Sequence, residues 1–169
     1  MKRPEKTEYS DWYAGYVGLV EETDIVSALE KQTAEIKNFF ADVSEEKGLY
    51  RYAEDKWTIK ELLGHLNDGE RVFAYRALRI SRGDETPLAG FDEKPYVASS
   101  NFNERKLTDL VEEFVLLRQA NMFIFRNLKD SDWDNFGTAS EAQVSVRALA
   151  YIMVGHARHH LRILQERYL

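Results

Sequence analysis

Apolar residues recur at three- and four-residue spacing in four stretches of this chain, the pattern of amphipathic helices. The first stretch runs from about Asp24 to Val43, with Ile25, Leu29, Ile36, Phe39, Phe40 and Val43 on its inner face. The charged turn Ser44-Glu45-Glu46-Lys47-Gly48 ends it. The second opens on Thr58-Ile59-Lys60-Glu61, a capping box: the Thr58 hydroxyl accepts from the Glu61 amide, and the Glu61 carboxylate reaches back to the Thr58 amide. It runs to Ser81 or Arg82, where Gly83 stops it, and its apolar face is Leu62, Leu66, Phe73, Ala77 and Ile80. The third, about Glu104 to Leu128, is marked by Leu107, Leu110, Val111, Phe114, Leu117, Ile124 and Leu128. Trp133-Asp134-Asn135-Phe136-Gly137 then reads as a turn or short irregular helix. The fourth helix is capped by Ser145 and ends near Arg167.

The segment from Gly83 to Asn103 holds Pro87, Gly90 and Pro95 and carries no helical period. Some twenty extended residues reach roughly 65 Å, whereas the second helix is only about 36 Å long. The segment can therefore return the chain to its starting end and let the third helix run parallel to the second. The expected fold is all-α: a four-helix bundle with one long crossover loop.

Composition narrows the picture. A chain of 169 residues is expected to form one domain, residues 1–169, with residues 1–22 as an extension before the bundle. That length buries a core without a disulfide or structural metal. Cysteine is absent, which excludes thiolate nucleophiles and Cys-based metal sites and fits a reducing cytoplasm. The net charge of −6 disfavours nucleic acid as a partner. The longest near-apolar run, Tyr13 to Val20, is too short to span a membrane. The charged N-terminus is not followed by an apolar secretory segment. A cytoplasmic location and no membrane partner are therefore expected.

Of the four histidines, three lie within Gly155-His156-Ala157-Arg158-His159-His160, and the fourth is His65. On a helical wheel His160 lies about 40° from His156, and both fall among Leu149, Ile152, Met153 and Ile163. His159 lies on the edge of that face, and Arg147, Arg158 and Gln165 fall on the opposite, solvated side. His65 also looks inward, near Val72. His65 follows the start of its helix by as many residues as His160 precedes the end of its own, so antiparallel packing puts all three at one level. A lone inward histidine is more often a core residue satisfied by a hydrogen bond. Three at one depth would leave several buried nitrogens to satisfy, and one metal ion satisfies three at once. Three neutral imidazoles leave a coordination position open, the catalytic rather than the structural pattern. Zn²⁺ or Ni²⁺ suits such ligands.

Polar residues that continue inward rows are further site candidates. Arg118 follows Phe114 by four, and Asn121 follows Leu117 by four. Asp68, three after His65, could orient an imidazole. For Arg118 and Asp68 a surface ion pair is the favoured alternative, and Asn121 stands even. The residue after His156 is Ala157, so the H-E-x-x-H signature is absent. Glu45-Glu46 and Glu112-Glu113 read as solvated faces.

Together these residues resemble the DinB-like superfamily, particularly its YfiT-like branch of candidate metal-dependent enzymes. The likeness is carried by Trp57-Thr58-Ile59-Lys60-Glu61-Leu62-Leu63-Gly64-His65-Leu66-Asn67-Asp68-Gly69-Glu70-Arg71, by Arg82-Gly83-Asp84, and by Gly155-His156-Ala157-Arg158-His159-His160-Leu161. The resemblance implies up-down-down-up topology, a homodimer, and a divalent metal on His65, His156 and His160, with His159 beside the ligands and not one of them. The chemistry of the family is diverse, including transferases that use low-molecular-weight thiols. The expected function is a metal-dependent enzyme that activates a thiol or water against a small-molecule substrate, as an S-transferase or hydrolase. The alternative is a metal-binding stress or sensor protein without turnover. A homodimer would also bury Trp12, Tyr13 and Tyr16, which lie outside the helical pattern; they could instead pack back on their own bundle.

Overall fold

A computed structural model describes residues 2–169. Its helices in chain order are α1 (Ala14–Gly18), α2 (Ile25–Ala41), α3 (Ile59–Ser81), α4 (Glu93–Ala98), α5 (Leu107–Phe125) and α6 (Val146–Arg167). The long ones, α2, α3, α5 and α6, form the bundle. Side-chain caps start three of them, those at Thr58 and Ser145 as the sequence predicts. Asp24 accepts from the Ser27 amide, Thr58 and Glu61 form the reciprocal capping box, and Ser145 accepts from the Ala148 amide. Gly83, at φ +73°, takes the left-handed turn that ends α3.

Hydrogen bonds between helices give their relative sense. From α3 to α5, Asn67 donates to the Leu110 carbonyl and Glu70 accepts from Arg118 and Asn121. These pairs advance together along both helices. Between α3 and α6 the order reverses: Trp57, just before α3, accepts through its carbonyl from Tyr168 at the far end of α6, and His65 meets His156. The segment between α3 and α5, the expected crossover, carries α4 and a 3-10 turn at Phe102–Glu104 rather than an unstructured loop.

The fold is mostly helical but not wholly so. The segment expected to be a turn or irregular helix is a 3-10 turn (Asp130–Asp134) followed by an antiparallel hairpin, β1 (Phe136–Ala139) with β2 (Ala142–Ser145). Its tip, Ser140-Glu141, has positive φ at both residues. Two-residue hairpins demand that geometry, but they normally advertise it with Asn-Gly or Asp-Gly. The hairpin clips onto the crossover through Leu88, which donates to the Thr138 carbonyl and accepts from the Ser140 amide.

The core has two apolar clusters, one around Leu29, Phe73, Met122 and Met153, the other around Ile36, Leu66, Phe114 and Leu164. Between them lies a polar layer. Arg118, fully buried, forms a two-pronged pair with Glu70 at 2.7 and 2.9 Å and donates to Gln32 and the Leu29 carbonyl. Asn121 donates to Glu70, and Gln32 donates to the Val154 carbonyl. Arg118 is thus a core ion pair, not the surface pair its sequence favours. Its inward row is the cause: a guanidinium among apolar neighbours must bring its counter-charge with it.

The N-terminal segment corrects a second expectation. Val17 and Val20 are buried against α6, and Tyr13 and Tyr16 pack there as well, while Trp12 stays 65% exposed. The side of α6 that the wheel assigns to solvent is therefore covered. Arg147 is buried and pairs with Glu8 and Asp134. Burial pushes the Glu8 carboxyl up, but hydrogen bonds from Ser145 and Arg147, together with the backbone of its own turn, outweigh it and hold it below its ordinary value. Arg158 is half-buried and grips Glu22 and the Leu19 carbonyl; only Gln165 is solvated as expected. Glu113 likewise pairs with Arg71 and Arg105 rather than standing free. No helix among the described residues is long and apolar enough to cross a membrane.

Candidate metal centre

His65 comes from the second turn of α3, and His156 and His160 stack one turn apart on α6. Their ring centres form a near-equilateral triangle with sides of 4.8, 4.8 and 4.7 Å, each pair close to perpendicular. One nitrogen from each ring lies within 4.8 Å of the others. Nε2 of His65 faces Nε2 of His156 at 2.8 Å. Both ring nitrogens of His160 are buried and have no hydrogen-bond partner among the described residues. Burying both without a partner costs stability, and a shared cation would satisfy one of them. The donor set, three imidazoles without a thiolate, fits Zn²⁺ or Ni²⁺.

Burial sets the charge state. It pulls His65 down to about 4. It pulls His156 and His160 well below the usual value, and the neighbouring histidines push in the same direction. All three are neutral at pH 7, which is the ligating form. His159, half-buried, packs against Tyr16 and stands 5.0 Å from the His160 ring, but it is not one of the three residues whose nitrogens converge.

Two close approaches build the triangle. Gly69 lies one turn beyond His65, and a Cβ there would stand 2.8 Å from Cε1 of His156. The missing side chain is the space the imidazole occupies. Gly155 does the same for the N-terminal segment: a Cβ would stand 2.0 Å from the Tyr16 carbonyl oxygen. Tyr16 can therefore rest its ring 5.4 Å from His156, while Phe73 closes the other side at 5.5 Å. Trp57 lies 5.0 Å from His65.

A cavity of about 470 Å³ touches all three histidines. Its walls are aromatic, with Trp12, Tyr13, Tyr16, Trp57, Phe73 and Phe91, and its rim includes Ser140 at the hairpin tip and Glu93 at the start of α4. Burial first, then the Glu93 carboxylate, pushes the Tyr16 phenol up. The N-terminal segment and the segment between α3 and α5 both contribute to its lining.

The other candidates are placed elsewhere. Arg118 and Asn121 meet at Glu70 in the polar layer and do not line the cavity. Asp68 is half-buried and makes no side-chain hydrogen bond to a histidine among the described residues. Burial raises its carboxyl, Arg71 and Arg105 counter that, and Glu113 adds to it. Sequence reasoning missed Gly69, Glu93 and the aromatic wall. Gly69 did leave a signal, since a helix-interior glycine one turn from an inward histidine marks a close approach.

Fold and site together describe a helical bundle with a three-histidine pocket. A family model of the DinB superfamily matches residues 28–164, and the chain belongs to that superfamily. Among solved structures it is similar to YfiT from Bacillus subtilis, described as a probable metal-dependent hydrolase with an unusual four-helix bundle topology. The two share 17% identity and superpose with a TM-score of 0.76 over 98% of this chain and 90% of that one. No curated protein sequence matches the chain.

Proposed function

We propose that this protein is a divalent-metal-dependent enzyme that hydrolyses a small molecule, with His65, His156 and His160 as ligands of Zn²⁺ or Ni²⁺. The observation that carries this reading is His160, whose two nitrogens are buried and unbonded where three imidazoles converge beside a cavity. A bound ion supplies Lewis acidity, lowering the pKa of water or a thiol and polarising a substrate oxygen. The chain's own residues do the rest. Burial keeps the three imidazoles unprotonated. Tyr16, Phe73 and Gly69 hold the His156 ring in place. The aromatic wall shields the site from bulk water and offers an apolar body a place to lie. Three protein ligands leave room for a substrate or water, and a cavity next to them weighs against a sealed sensor site. The description of YfiT supports hydrolysis over thiol transfer. The same reading takes the bundle as up-down-down-up, supported by the α3–α5 bonds that advance together.

The test is elemental analysis of freshly purified protein with a hydrolysis screen before and after chelation. Stoichiometric zinc or nickel is expected, with activity lost on chelation and restored by the ion. His65→Ala, His156→Ala and His160→Ala should each lose the metal while keeping their helical signal, and His159→Ala should keep it. Full metal retention by the first three variants would refute the assignment.

A further inference from the structure

The cavity has a charge pattern that its histidines do not explain. Glu93 lines it half-buried, with no ion pair and no side-chain hydrogen bond among the described residues. Asp92, the neighbouring acid, is already used as the cap of α4. No lysine or arginine lines the cavity. Behind the wall, the buried Arg76 donates to the Ala89 carbonyl, Ser140 Oγ and the Tyr13 hydroxyl. Apart from the ion that the histidines would hold, a ligand carboxylate or phosphate would meet one like charge at Glu93 and no lysine or arginine in the wall.

The rings complete the pattern. Trp12 stands edge-on to Tyr13 at 4.9 Å and to Tyr16 at 5.7 Å, with interplanar angles of 88° and 90°. Tyr13 and Tyr16 lie 6.4 Å apart. Three mutually angled, electron-rich rings beside an unpaired carboxylate are the chemistry that holds an organic ammonium ion. Ring faces attract the diffuse charge of an alkylated nitrogen, and the carboxylate neutralises it. Trp12 lines the same cavity while staying 65% exposed.

We propose that the cavity selects a substrate carrying an ammonium group, received by Trp12, Tyr13 and Tyr16 against Glu93, with the rest of the molecule extending toward the three histidines. This inference rests on the enzyme reading above, since it names the class of molecule that the same site takes.

The test is binding to zinc-loaded protein, read by tryptophan fluorescence and calorimetry, with zinc content measured on every sample. Benzyltrimethylammonium is the cationic probe, and neopentylbenzene, which replaces its nitrogen by carbon, is the uncharged probe of the same shape. The cation should bind at least about tenfold more tightly than the neutral probe. Glu93→Gln should weaken the cation about tenfold, and Trp12→Ala several-fold, with zinc content and melting temperature unchanged. Trp12 is exposed, so its loss does not threaten the fold. Equal affinity for the two probes, or tighter binding of the neutral one, would overturn the proposal. So would Glu93→Gln that leaves cation affinity intact; if that variant also abolished turnover of a neutral ester, Glu93 would be a proton acceptor instead. Failure of the parent protein to hold zinc would strike the metal reading, whereas zinc retention without cation selectivity would strike this proposal alone.

Discussion

Gly155→Ala tests how the N-terminal segment is seated over the site. The new methyl would stand 2.0, 2.5 and 2.9 Å from the Tyr16 carbonyl oxygen, carbonyl carbon and Cα. These are backbone atoms, so no rotamer change relieves the clash. The segment must retreat by roughly 1 Å or more to restore van der Waals distance. Val17 and Val20, both buried, move with it. Full burial of a valine contributes about 1.5–3 kcal/mol, so partial release of two costs about 2–3 kcal/mol. Replacing a helix-interior glycine by alanine returns about 1 kcal/mol. The net loss is about 1–2 kcal/mol, a fall in melting temperature of about 3–6 °C at this chain length. Thermal unfolding by circular dichroism measures it, and limited proteolysis should show faster cleavage before Glu22. Gly15→Ala is the control: a Cβ there meets nothing within 4 Å, and the variant should be neutral or slightly more stable. A Gly155→Ala protein that melts at or above the parent would refute the reasoning, because helix propensity alone would then account for the site.

Gly69→Ala should displace the His156 ring and weaken zinc binding about 10- to 100-fold in a chelator competition, while Asp68→Asn should leave it unchanged. Glu70→Gln leaves Arg118 charged and buried without its partner, so a loss of about 3–5 kcal/mol is expected in urea unfolding; the double change Glu70→Leu with Arg118→Leu should recover most of it. The metal-free protein should lose stability as pH falls from 6.5 to about 4, because the unfolded chain binds protons that the buried His65 refuses. His65 alone contributes about 3 kcal/mol to that loss, the gap between its usual value and about 4, and urea midpoints that stay flat between pH 7 and 4 would contradict it.

Much of the bundle was legible before folding because its causes are local. The 3.6-residue period places the four long helices, and Asp24, Thr58 with Glu61, and Ser145 start three of them through bonds to amides three residues away. The histidine triangle was legible for a related reason: two helical phases and one matching depth bring His65, His156 and His160 together. The hairpin was not, because Ser140-Glu141 adopts a turn whose usual glycine or asparagine is missing. Nor was the true environment of the arginines. A wheel gives a direction, and only packing says what lies there: Glu8 arrives from far upstream to bury Arg147, and Glu70 meets Arg118 across α3 and α5. The cavity belongs wholly to tertiary structure. Trp12, Glu93 and Ser140 come from three segments with no shared period, and they meet only because Gly155 lets the N-terminal backbone touch α6 and Leu88 ties the crossover to the hairpin. Helical phase depends on neighbours in sequence, whereas pocket walls depend on long-range contacts whose spacing no local pattern encodes.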